Sequence, residues 1–190
     1  MRANPVLLAF LGLAALSLPA AAQTPKAAPK STHAATSAGP KAIGKFDDWT
    51  AATNKEAGQT VCYAFTRAQA STPAMPGRGD VVLTVTERAG GRDAVAISAG
   101  FAYAANAAVA VSVDQQTPLD FYTAQRSAFA RDGRAAVQGF LKGKQVMAHS
   151  PAPKATQAGA AQVADSFSLR GFNAAYAAIA KSCPPGKAAP

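Results

Sequence analysis

Two cysteines are the residues whose chemistry and spacing are most informative in this chain of 190 residues. Cys62 and Cys183 can form only one intramolecular pair, and neither belongs to the Cys-x-x-Cys pattern typical of redox enzymes. If they pair, the bond closes almost the whole predicted domain, and the chain-entropy relation gives such a loop about 4 to 5 kcal/mol of stabilisation. The cysteines therefore predict a structural crosslink.

Groups suited to catalysis or metal binding are scarce. His33 lies in a polar N-terminal segment, which leaves His149, followed by Ser150, as the candidate base and nucleophile. No Gly-x-Ser-x-Gly pattern accompanies them. Asp47 and Asp48 are adjacent acids, but on a predicted strand over residues 46–51 their side chains would face opposite sides. We predict no catalytic residue, no metal site and no cofactor.

The first 22 residues have the pattern of a secretion signal. Arg2 precedes an apolar stretch from Val6 to Leu18, and Ala20-Ala21-Ala22 provides the small residues of a cleavage site. The stretch is shorter than the roughly 20 apolar residues that span a bilayer, so we expect no transmembrane segment in the mature chain. An exported chain meets an oxidising compartment, which agrees with a disulfide.

Residues 23–45 are predicted to be a disordered linker rich in Ala, Pro and Lys. Lys26, Lys30, Lys41 and Lys45 give this segment positive charge without any acid, whereas residues 46–190 hold 14 Lys and Arg against 10 Asp and Glu. The segment is either a solubilising tether or a means of attraction to an anionic envelope surface. A nucleic-acid partner is not expected, because the signal directs the chain away from the cytoplasm. We interpret the short basic stretch near Tyr122 and Phe129 as a solvated loop. It contains Arg126, Arg131 and Arg134.

Residues 46–185 are predicted to form one mainly β domain, followed by a disordered C-terminus over 186–190. Alternation in 61–67 places Cys62 on a face of small residues. Further strands are predicted over 81–87, 93–98, 107–113, 145–149 and 161–169, with a short helix over 135–142. A turn over 114–118 predicts that 107–113 and 119–122 form a hairpin. From residue 172, an amphipathic stripe predicts a C-terminal helix that carries Cys183 on its buried side. The predicted core residues are Trp49, Phe167, Phe172 and Tyr176.

The sequence resembles the invasion-associated locus B family of secreted proteins from Gram-negative bacteria. The resemblance rests on Phe46-Asp47-Asp48-Trp49, on Val61-Cys62-Tyr63 and on the segment from Asp165 to Tyr176, which includes Ser-Leu-Arg-Gly-Phe. It implies an immunoglobulin-like or related β-sandwich in the periplasm or outer envelope, with a link to host-cell entry and virulence in pathogens. A mid-domain cysteine pair that is common in the family has no match here.

Three functions are compatible with these features. The first is a non-catalytic, secreted interaction protein that binds an envelope component or a host surface. The second is a periplasmic hydrolase of envelope polymers, which a deep cleft holding His149 beside a carboxylate would favour. The third is a structural or stress-related envelope protein. We expect the first, because a disulfide would leave the chain without a reactive thiol.

Overall fold

A computed structural model describes residues 39–153 and 161–185 of the chain. The strands are β1 (Lys41–Phe46), β2 (Trp49–Glu56), β3 (Gln59–Arg67), β4 (Ala70–Thr72), β5 (Val82–Arg88), β6 (Gly91–Ser98), β7 (Ala110–Val113), β8 (Thr117–Leu119), β9 (Phe121–Ala124), β10 (Ser127–Ala130), β11 (Gln145–Pro151) and β12 (Gln162–Ser168). The helices are α1 (Gly133–Lys142) and α2 (Phe172–Ser182).

The strands form two antiparallel sheets. The larger sheet has seven strands in the order β1-β2-β3-β5-β6-β10-β9, and the smaller has five in the order β4-β12-β11-β7-β8. Buried residues of both sheets and both helices belong to one hydrophobic core. This arrangement confirms the prediction of a mainly β, sandwich-like fold with a C-terminal helix.

Strand alternation explains which face of the large sheet is buried. On β3, Cys62, Ala64 and Thr66 are buried, whereas Tyr63 and Phe65 on the other face are partly exposed. The small-residue face predicted from the sequence is therefore the face toward the core. Because its side chains are small, α2 can pack closely on β2 and β3.

The beginning of the domain differs from the prediction. The proposed single strand over 46–51 is wrong, because Asp47 and Asp48 form a turn between β1 and β2, with Asp47 at φ 48°. Lys41–Lys45, predicted to lie in the disordered linker, belong to β1, which pairs antiparallel with β2. Hydrogen bonding to β2 thus orders a segment whose composition alone indicates a linker.

Two other strands were not predicted. β4 follows β3 closely and pairs with β12 of the small sheet, and β10 lies in a basic stretch that the sequence indicated as a solvated loop. The expected hairpin after β7 is formed by β8, but the chain then crosses at Asp120 into the large sheet as β9. The helix predicted over 135–142 is present as α1, which begins two residues earlier.

Phe172 is the centre of the aromatic core. Its ring lies 4.8 Å from the ring of Trp49 and 5.6 Å from that of Phe140 on α1, measured between centroids. Tyr176, one turn along α2, stacks on it at 5.7 Å. Trp49, Phe167 and Phe172 are fully buried, and Tyr176 is partly buried.

A disulfide joins the C-terminal end of α2 to β3. The Cα atoms of Cys62 and Cys183 are 5.8 Å apart, across a sequence separation of 121 residues. Cys183 continues the buried side of α2 after Ile179, as the amphipathic stripe indicates. The crosslink therefore fixes the last element of the domain to one of the first.

Several predicted segments lie outside the described residues. These are the signal peptide (1–22), most of the linker including Lys26 and Lys30, and the C-terminus 186–190. Within the described residues, no helix has both the length and the apolar character needed to cross a membrane.

Replacing both cysteines, as in Cys62→Ser with Cys183→Ser, should lower the free energy of unfolding by about 4 kcal/mol, since the unfolded chain regains the freedom of a very long loop. Urea denaturation of the oxidised protein and of the variant measures the difference. Adding reductant should shift the midpoint of the parent protein and leave that of the variant unchanged. Equal midpoints for the two proteins would show that the crosslink contributes nothing.

Candidate functional site

The first and last motifs of the domain contact each other. The indole Nε1 of Trp49 donates to the carbonyl oxygen of Ser168 at 2.9 Å. Arg170 donates from Nη2 to Oδ1 of Asp48 at 3.0 Å. Hydrogen bonding from the Ser168 side chain, followed by that from Arg170, lowers the pKa of Asp48 below its usual value. These motif residues therefore join the two ends of the fold.

Gly171 allows α2 to start at this contact. Its φ of 87° lies in the left-handed region, and a Cβ atom at this position would come within 2.1 Å of the carbonyl oxygen of Phe46. Both the backbone conformation and the close approach of β1 thus require glycine. Packing therefore explains the glycine of the Ser-Leu-Arg-Gly-Phe segment.

A buried ion pair lies between the two sheets. Arg78 binds Asp165 through two parallel hydrogen bonds of 2.8 and 2.7 Å, and the side chains are only 6% and 4% exposed. Ser71 also donates to Asp165, and Arg78 donates from Nε to the carbonyl oxygen of Ala99. The guanidinium lies 5.0 Å from the ring centroid of Phe101. Arg78 therefore holds two loops against β12.

A second ionisable cluster lies beneath α2, beside the disulfide. Glu87 on β5 is fully buried opposite Cys62 on β3, and its Oε2 lies 2.6 Å from Nε of Arg92. The backbone N–H of Asp93 donates to Oε1 of Glu87, and the hydroxyl of Tyr176 donates to Asp93 at 2.6 Å. Burial, followed by the nearby side chain of Asp93, raises the pKa of Glu87 to about 7.

This cluster connects α2 to the β5–β6 hairpin. Arg92 also donates to the carbonyl oxygen of Cys183, so one guanidinium contacts both the buried acid and the end of the helix. Burial is also the main cause that raises the pKa of Tyr176. Glu87 and Asp93 form a close acidic pair, but Glu87 is fully buried beside the disulfide and α2. These contacts therefore hold α2 against the β5–β6 hairpin.

The structure separates the candidate catalytic dyad. His149 and Ser150 are neighbours on β11, where His149 is exposed and Ser150 is buried on the other face. The residues that pair with His149 across the sheet are Ala164 and Ala110, so neither offers a carboxylate. In residues 39–153 and 161–185, no three His, Cys, Asp or Glu side chains are placed to hold a metal ion.

A row of partly exposed side chains crosses the outer face of the large sheet. In register from β1 to β9 it consists of Lys45, Thr50, Phe65, Thr84, Ala96, Phe129 and Tyr122. Tyr122 stacks on Phe129 with ring centroids 5.6 Å apart, and Tyr63 lies 6.1 Å from Phe65. Two aromatic pairs thus stand on β9–β10 and on β3.

Small residues lie between these aromatic pairs. Thr84 on β5 and Ala96 on β6 separate Phe65 from Phe129, a distance of three strand spacings, or roughly 14 Å. We call this surface the outer trough, with its walls formed by the aromatic pairs and its floor by the two small residues. Tyr122 is 43% exposed, which is unusual for a large apolar side chain in this domain.

The arginines around the outer trough are paired with acids. Arg67 follows Phe65 on the same face of β3 and binds Asp80. Arg88 is the last residue of β5 and binds Glu56 at 3.0 Å. Arg131 binds Asp120 at 3.3 Å, and its guanidinium lies 5.2 Å from the ring centroid of Tyr122. The charge of each arginine is therefore balanced locally.

A family comparison agrees with the residues that join the ends of the fold. The family described as invasion associated locus B (IalB) protein matches residues 49–180. The chain belongs to the invasion-associated locus B family. The match begins at Trp49 and extends into α2, so it includes both sides of the contact between the two ends. Searches of curated proteins and of solved structures gave no match.

Sequence reasoning missed the partners of the buried charges. Asp165 lies on the same buried side of β12 as Phe167, but nothing local indicates Arg78 as its partner. Glu87 continues the inward alternation of Leu83 and Val85, and this pattern could have indicated a buried acid. The stacking of Tyr122 on Phe129 required the β9–β10 pairing, which the basic stretch concealed.

Arg78→Ala should destabilise the domain by about 3 to 5 kcal/mol, because it leaves the carboxylate of Asp165 buried without its cation. The matched control is Arg67→Ala, which removes an exposed ion pair and should cost less than about 1 kcal/mol. Urea denaturation at pH 7 compares the two variants. A similar cost for both would contradict the structural role of the buried pair.

The raised pKa of Glu87 predicts a stability that decreases as the pH rises. In the folded state Glu87 keeps its proton up to about pH 7, whereas the ordinary pKa of this side chain is 4.5. Protonated Glu87 therefore favours folding below this range. The contribution decreases as the pH rises from 4.5 to about 7, and it amounts to about 3 kcal/mol. Glu87→Gln should flatten the dependence of Tm on pH between pH 5 and 8.

Glu56→Gln is the control for this experiment, because Glu56 is an exposed acid whose partner, Arg88, directly follows Glu87 on β5. It should leave the pH dependence of the parent protein intact. Parallel curves for the parent and Glu87→Gln would exclude Glu87 as the titrating group.

Proposed function

We propose that this protein is a non-catalytic interaction protein that acts outside the cytoplasm, on the cell envelope or on a host surface. The observation that carries the proposal is the outer trough, where aromatic side chains stand partly exposed on a rigid sheet. Such side chains bury a large contact area with little loss of conformational freedom, and they are common at binding hot spots. Membership of a family described as invasion associated agrees with this role.

The buried chemistry of the domain supports the same proposal. Arg78 and Asp165 satisfy each other between the sheets, and Glu87 is covered by α2. A hydrolase would need a carboxylate beside His149, its candidate base. His149 instead faces solvent between two alanines in neighbouring strands, so this alternative gains no support. A binding role requires only the outer surface, which these clusters keep rigid.

The location and the tether belong to the same proposal. The disulfide between Cys62 and Cys183 favours an oxidising compartment, consistent with a secretion signal over residues 1–22 and a periplasmic, outer-envelope or secreted protein. Lys41 and Lys45 are exposed on the edge strand β1. Together with Lys26 and Lys30 they would attract the domain to an anionic envelope surface, with the outer trough making the specific contact.

Co-sedimentation tests this proposal. The chain without residues 1–22 is labelled and mixed with outer-membrane fragments, peptidoglycan sacculi or host-cell membrane fragments. We expect binding to at least one of these, and Tyr122→Ala with Phe129→Ala should weaken it at least tenfold by removing one wall of the outer trough. His149→Ala, on the outward face of the small sheet, is the control and should bind like the parent.

The same samples distinguish a hydrolase from a binding protein. Sacculi and polysaccharides recovered after incubation should keep their length. Polymers that shorten with the parent protein would contradict the non-catalytic role. Binding that the double variant retains in full would show that the outer trough is not the contact surface.

A further inference from the structure

We infer that the outer trough binds a neutral glycan chain, an inference that rests on the proposed interaction function and names its ligand class. A pyranose ring has an apolar face of C–H groups and an edge of hydroxyl groups. A binding surface for it needs flat aromatic rings beside neutral hydrogen-bonding groups. The outer trough combines Tyr63, Phe65, Phe129 and Tyr122 with the hydroxyl of Thr84.

The spacing of the aromatic pairs fits an extended ligand. The pairs on β3 and on β9–β10 are separated by two strands that carry small side chains, Thr84 and Ala96, in the same row. Rings at both ends of a floor roughly 14 Å wide can stack on different sugar residues of one chain. A compact apolar ligand would instead favour a single enclosed pocket.

The charge around the outer trough favours a neutral ligand over an anionic one. Arg67, Arg88 and Arg131 border it, and each is held by a carboxylate: Asp80, Glu56 and Asp120 respectively. Lys45 belongs to the same row but lies two strands beyond Phe65, outside the outer trough. An anionic polymer would have to displace these carboxylates to reach the guanidinium groups. The outward residues between the aromatic pairs carry no charge. A neutral glycan matches this surface without breaking any ion pair.

The floor also distinguishes a glycan from a protein partner. Threonine hydroxyls on a strand are held in few rotamers, so they offer fixed donors and acceptors at small entropic cost. Protein hot spots usually insert an anchor into a pocket that excludes water. Here the rings of Phe129 and Tyr122 stack with their centroids 5.6 Å apart on the outer face of the large sheet.

Isothermal titration with soluble oligosaccharides tests the inference. The probes are cellohexaose and chitohexaose as neutral chains and dextran sulfate as an anionic chain, each added to the chain without residues 1–22. We expect a neutral probe to bind with a Kd that changes by less than about twofold between about 0.05 and 0.5 M NaCl, because no charge pairing is involved. Tyr122→Ala and Phe129→Ala should each raise the Kd at least fivefold.

Controls separate a change in binding from a change in folding. Tyr122 is 43% exposed, so Tyr122→Ala should keep the Tm of the parent within a few degrees even if Phe129→Ala does not. His149→Ala should keep the Kd of the parent. Binding that persists in Tyr122→Ala and Phe129→Ala would overturn the assignment of the glycan to this surface.

The remaining outcomes distinguish this inference from the proposed function. Failure of both neutral probes to bind, together with envelope binding that depends on Tyr122 and Phe129, would overturn the glycan inference and leave a protein-binding surface. Binding to dextran sulfate alone that weakens with salt would also overturn it. If co-sedimentation and titration both fail, the interaction function itself fails.

Discussion

The domain depends on the contact between its first and last segments. Trp49 donates to the Ser168 carbonyl and packs on Phe172, so the first buried side chain of β2 is held by the end of β12 and the start of α2. Trp49 and Ser168, which form this hydrogen bond, are 119 residues apart in the chain. The disulfide and the Glu87 cluster then hold α2 along its length. The family motifs at both ends are therefore residues of one packing unit.

Much of this fold follows from local patterns in the sequence. Period-two alternation located β3, β5 and β12, and the helical stripe placed Cys183 on the buried side of α2, because side-chain direction is a local property of the backbone. Sheet membership is decided by pairings between distant segments. For this reason the crossing from β8 to β9 and the strand β10 could not be inferred from their own residues.

The candidate site was less predictable than the fold, for a related reason. A lone acid such as Asp165 gives no sign of its cation, because Arg78 reaches it from a loop 87 residues away. The outer trough likewise combines side chains from five separate strands. The sequence revealed the aromatic residues near the basic stretch, but their stacking depends on the register of β9 with β10.

The long separation between the two halves of the closing contact affects how the chain reaches its native state. Trp49 and Cys62 are synthesised early. Their partners, Phe172 and Cys183, are among the last residues of the domain to be synthesised. Until those residues arrive, the small-residue face of β3 and the carboxyl of Glu87 lack their cover. A chain with such non-local contacts folds slowly, and a nascent chain remains open until α2 has docked. Delayed closure would keep the chain open for the export that we propose, since an open chain can be threaded through a narrow channel.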